Sequence, residues 1–109
     1  MHKFKSAITG HLDIIATQHE DGLNGDEMLW NEVLIHGDPE GLRSLASLLL
    51  KLADLDQNTL EDLPNGAQAH EHLRPGIELS NSSDTVVTGR LDAKGTSAFY
   101  NRYIPKKTN

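Results

Sequence analysis

Apolar residues change their spacing along this chain, and each change marks an element. Residues 12–17 read Leu-Asp-Ile-Ile-Ala-Thr, a β-favouring run, and residues 28–35 resume one after a loop carrying Asp21-Gly22 and Asn24-Gly25. The two runs predict a hairpin with a long connection. Val33 to Ile35 is stopped by Gly37, and Asp38-Pro39-Glu40 supplies an N-cap, a proline for the first helical position and an acid for the first turn. A helix from Pro39 to about Leu55 follows. Its apolar stripe is read as Leu42, Leu45, Ala46, Leu49, Leu52 and Ala53, widened by Leu48 and Leu55; Ser44, Ser47, Lys51 and Asp54 fall on the wet side. Leu50 lies beside that polar strip and is expected half-buried. Trp30 is expected in the core on the second strand.

Beyond the helix the pattern weakens. Residues 56–66 form a polar connection, with a short turn of helix possible at 59–63. Residues 67–73 alternate as a strand does. Arg74-Pro75-Gly76 breaks the run, and residues 77–79 and 85–91 predict two more strands around the 81–84 turn. Phe99, Tyr100 and Tyr103 would share a helical face. Residues 3–9 either extend the first strand or form another. The order predicts a single α+β domain over residues 1–109. It would be a two-layer sandwich, with one long amphipathic helix packed on one face of a mostly antiparallel sheet of four or five strands.

Composition narrows the function. The chain has no cysteine, which excludes disulfides and thiolate metal sites. No apolar run approaches the ~20 residues that span a bilayer. Residues 1–10 lack the apolar segment of a signal peptide, so a cytoplasmic protein is expected. Charge is uneven. Residues 20–62 hold eleven acids against two bases, a net of −9, which leaves +3 elsewhere in a chain of net charge −6. Such a surface repels nucleic acid and attracts a basic protein. The acids fall in two groups, Glu20, Asp21, Asp26 and Glu27, and Asp54, Asp56, Glu61 and Asp62. Together they could form a belt that steers a basic partner, with an exposed Trp30 as its anchor.

Candidate chemistry is sparse. His70 and His72, two apart on a strand, would share a face and could grip a metal with His36 or Glu78; exposed strand histidines are the plainer alternative. Asp54, Asp56, Asn58 and Asp62 occupy positions 1, 3, 5 and 9 of a calcium-loop pattern. Thr59 and Asn65 stand where that loop needs Gly and Glu. Neither a nucleophile elbow nor a phosphate-binding glycine motif occurs. No enzyme, no cofactor and no nucleic-acid partner is therefore expected. A small metal-binding enzyme, or an α+β domain self-associating as a homodimer through its sheet or Leu50, is the alternative.

The run from Val33 to Leu42 continues into Leu45 to Ala53. After it come His70-Glu71-His72-Leu73-Arg74-Pro75-Gly76-Ile77-Glu78-Leu79, then Val86-Val87 and Arg90-Leu91-Asp92. This order resembles the immunity protein 32 family of bacterial polymorphic toxin systems over roughly residues 30–92. The resemblance implies a small α+β protein that binds and blocks a toxin domain delivered by a neighbouring cell. It implies no catalytic residues, and the partner would be a cognate toxin.

Overall fold

Two β-favouring runs on either side of a turn-rich loop can pair along their whole length, and they do. In a computed structural model, which describes residues 8–21 and 28–107, strand β1 (Leu12–Asp21) pairs antiparallel with β2 (Met28–Gly37), from Leu12 opposite Gly37 to Asp21 opposite Met28. Helix α1 (Pro39–Asp54) follows directly. The Asp38 carboxylate caps it, accepting the Gly41 N–H at 2.7 Å and the His11 N–H at 3.0 Å. These backbone donors hold the Asp38 carboxyl below its ordinary range. A 3-10 turn (Gln57–Thr59) leads to the short strands β3 (His70–Leu73) and β4 (Val86–Gly89), which pair antiparallel.

The result is α+β, with the expected single amphipathic helix. It is not the four- or five-stranded sandwich: the sheets are two separate pairs, β1–β2 and β3–β4. The predicted strand at 77–79 fails because Arg74 and Glu78 clamp this segment into a tight loop. Guanidinium–carboxylate bonds of 2.9 and 3.2 Å close it, and the Gly76 N–H donates to the Leu79 carbonyl. The next segment, residues 80–84, runs along the inner edge of β1. There the Ser80 and Asp84 N–H groups donate to the Leu12 and Ile14 carbonyls. The Ser83 hydroxyl takes the Ile14 N–H, and the Asp84 carboxylate takes that of Ala16 at 2.8 Å. Side chains stand in for a third strand. Phe99, Tyr100 and Tyr103 lie in an irregular tail, with Phe99 edge-on to Tyr103, and not on a helix. The extra turn expected at 59–63 lies earlier, at Gln57–Thr59. Of residues 3–9, only 8 and 9 are described, outside any strand.

The core is aliphatic: Leu12 and Ile14 of β1, Leu45, Leu48 and Leu52 of α1, and Ala69, Leu73 and Leu79 from the second half. The helix is thus turned away from the expected stripe. Gly41, Leu45, Leu48 and Leu52 face inward, while Leu42, Ala46, Leu49 and Ala53 are exposed. Gly41 decides this. A Cβ there would stand 1.9 Å from the His11 carbonyl oxygen, so residues 8–11 press directly on the helix backbone. Leu50 is 62% exposed, not half-buried, because the line through Leu48 and Leu52 leaves it on the far side. Trp30 is 41% exposed and stacks on His19 rather than entering the core. The core reaches the sheet only at Leu12 and Ile14, so no residue from Trp30 to His36 is buried.

Candidate functional site

Three surfaces deserve comparison: an acidic corner, a basin of basic side chains and an apolar strip. The acidic corner lies where α1 ends. Asp54, Asp56, Glu61 and Asp62 are all exposed and come within nine residues of chain. Asp56 caps the 3-10 turn by accepting the Asn58 N–H at 3.1 Å. Two cations packed behind this corner are directed inward. Arg90 donates to the Leu52 and Leu55 carbonyls at 3.0 and 2.7 Å and pairs with Asp92. Lys94 donates to the Leu60 and Leu63 carbonyls. The bases therefore cap backbone, while all four acidic residues stay exposed. The Asp92 carboxyl is held below its ordinary range chiefly by the Arg90 hydrogen bonds.

The other acidic group is only half described. Glu20 and Asp21 end β1, at the opposite end from the Leu12 that packs on the core; Asp26 and Glu27 lie outside the described residues. The calcium-loop reading is not realised. Asp56 is occupied as a cap, and the Asn58 side-chain oxygen accepts the Gly95 N–H at 3.0 Å.

His70 and His72 do share a face of β3, with ring centroids 5.0 Å apart in an edge-on arrangement. His70 Nδ1 donates to the Gln68 carbonyl. Neither expected third ligand joins them. Glu78 is engaged by Arg74, which lowers its carboxyl, and His36 lies on β2. Among the described residues no group of three His, Cys, Asp or Glu side chains could hold a metal. Instead the imidazoles border an open basin of about 410 Å³ with Arg90, Tyr100 and Arg102; the Arg102 guanidinium lies 5.0 Å over the Tyr100 ring. With Arg90 committed to the backbone and Asp92, the basin offers Arg102, two imidazoles and a phenol to an anionic group.

The apolar strip joins β2 to α1. Leu12, Ile14 and Ala16 share a sheet face with Gly37, Ile35 and Val33, their cross-strand partners. Leu12 and Ile14 are buried with the helix leucines, while Val33 and Ile35 stay exposed. A Cβ on Gly37 would stand 3.1 Å from Leu42, so the exposed helix line Leu42, Ala46, Leu49 and Ala53 begins beside the exposed pair Val33 and Ile35. The sequence pattern had every one of these residues but assigned the helical ones to the core.

A family model, immunity protein 32, matches residues 32–91, from the middle of β2 to the residue before Asp92. That is more than half of the chain. The chain belongs to the immunity protein 32 family. No curated protein and no solved structure matches it. The match takes in all of α1, the exposed end of β2, the acidic corner and the two histidines. It omits all of β1 and the acids between 20 and 27. No helix among the described residues is long and apolar enough to cross a membrane.

Proposed function

We propose that this immunity protein binds a cognate bacterial toxin domain and neutralises it by occupation, without catalysis and without a cofactor. Family membership over residues 32–91 is the observation that supports this most strongly. The physics of the surface agrees with it. Exposed Leu49 and Leu50 stand next to Asp54, so an apolar patch carries a carboxylate rim, the usual anatomy of a protein–protein contact. A net charge of −6 favours a basic toxin and disfavours nucleic acid. Glu20, Asp21, Asp26 and Glu27, with Asp54, Asp56, Glu61 and Asp62, are proposed to steer that partner, and the cytoplasm is the compartment where the protection acts.

The test is coexpression with the toxin encoded beside the gene, scored by survival, followed by binding kinetics on the purified pair. Survival and a complex whose association slows as salt rises are expected. Reversing Asp54→Lys together with Glu61→Lys should slow association about tenfold at low salt and leave dissociation nearly unchanged. No rescue and no complex would overturn the reading. A complex indifferent to both reversals would remove charge steering from it.

A further inference from the structure

The two edges of the β1–β2 sheet are treated oppositely. Leu12, Ile14 and Ala16 direct their backbone groups to the inner edge, where residues 80–84 satisfy them. Between the strands the Asp38 N–H donates to the His11 carbonyl at 3.1 Å, and in this register His11 lies opposite Asp38, which marks a hydrogen-bonded pair. Antiparallel ladders alternate, so His36, Leu34, Glu32 and Trp30 turn their backbone groups to β1. Asn31, Val33, Ile35 and Gly37 turn theirs outward, where no described residue meets them. Such an edge is normally blunted by lysine, proline or a bulge. Residues 28–37 contain no lysine and no proline, and their pairing with β1 is continuous. Val33 and Ile35, the residues whose amides point out, are 62% and 51% exposed.

We infer that the outer edge of β2 is a dimer interface, taken by β2 of a second copy of this chain in antiparallel register about a twofold axis at Leu34. The side chains select this register. With Leu34 opposite its own copy, Val33 faces Ile35 of the second copy across a hydrogen-bonded pair, apolar against apolar on one face. On the other face Glu32 stands opposite His36, twice by symmetry, where non-hydrogen-bonded pairs bring side chains closest. Neighbouring registers lose this. Centring on Ile35 sets Glu32 against Asp38, centring on Glu32 sets two carboxylates against each other, and centring on Val33 sets Glu32 against Leu34. The hydrogen-bond parity is also met, since Val33 and Ile35 both present outward groups. The four-stranded sheet so formed would carry one helix from each copy beside the Leu42–Leu49 line. This interface is independent of toxin binding and stands or falls without it.

Sedimentation equilibrium on the purified full chain, without toxin, should return twice the 12.0 kDa chain mass at tens of micromolar. Leu34→Cys gives a sharper register test in a chain with no other thiol. Opposed non-hydrogen-bonded residues are about 4.5 Å apart at Cα, within disulfide reach. Mild oxidation should cross-link Leu34→Cys to a dimer band many times faster than the helix control Leu50→Cys, although Leu50 is the more exposed position. His36→Glu should weaken the dimer roughly tenfold, with two repulsive pairs replacing two attractive ones. Glu32→Lys added to His36→Glu should restore it by reversing the charges. A monomer throughout this range overturns the inference, whether the Val33 and Ile35 amides exchange freely, as an edge awaiting the toxin would, or are protected by another part of the same chain. Equal cross-linking of the two cysteine variants overturns it as well.

Discussion

The two sheets have the same strand number and direction, and they are held by different means. β3 and β4 are four residues each, too short to persist on ladder bonds alone. Polar side chains brace them from behind. The buried Gln57 accepts the Ala69 N–H at 2.7 Å and donates to the Asp92 carbonyl at 2.8 Å, while Arg90 ties the strand end to the helix terminus. The strands β1 and β2 are ten residues each and carry their own ladder, but β2 has no core behind it. Short strands are thus fixed by what surrounds them, and of the long pair β2 presents its apolar residues Val33, Leu34 and Ile35 outward.

The contrast can be broken most sharply by truncating one leucine and one valine. Leu73 on β3 is fully buried, and Leu73→Ala should destabilise the fold by about 2–5 kcal/mol in urea melts. Val33→Ala, the matching cut on β2, should stay within about 0.5 kcal/mol in the monomer. Similar losses at both would show that the ribbon is packed after all. A smaller effect sharpens the account of the brace. Gln57→Ala orphans the Ala69 N–H and should remove about 1–3 kcal/mol. Hydrogen exchange would then quicken at residues 69–73 while β1 amides stay protected; uniform quickening would count against a local brace.

The smallest effect is that of pH. The Asp13 carboxyl is lowered chiefly by the Ser80 and Ser82 hydroxyls, Asp38 by the His11 and Gly41 N–H groups, Glu78 by Arg74 and Asp92 by Arg90. An acid lowered on folding contributes stability above its unfolded range and loses it as pH falls through the folded value. Thermal melts should therefore weaken progressively below about pH 4. Glu71 runs the other way. Burial first, then the Glu78 charge, raises its carboxyl, so protonation there favours the fold and offsets part of the loss. Melts unchanged from pH 5 to pH 2, roughly the span over which carboxylates titrate, would contradict these assignments.

Local chemistry was legible in the sequence; choices between equal patterns were not. Asp38 and Pro39 start the helix as their types require, and β1 and β2 extend the runs read at 12–17 and 28–35. The helix carries leucines at 42, 45, 48, 49, 50 and 52, which allow more than one apolar stripe. A remote contact, His11 against Gly41, selects the one that is buried. The acids at 54–62 are exposed, and Arg90 and Lys94 behind them are drawn to carbonyls that no spacing rule marks. The histidine pair was placed correctly on one strand face. Its surroundings, a guanidinium and a tyrosine from the tail, come from residues 30 positions later that carry no periodic signal.

The seam between Ile14 and Ser83 joins residues 69 apart. Contacts this distant form late, since the intervening chain must be ordered before its ends can meet. A nascent chain halted before Ser83 would hold β1 with its inner flank unsealed, however completely the β1–β2 hairpin had already paired.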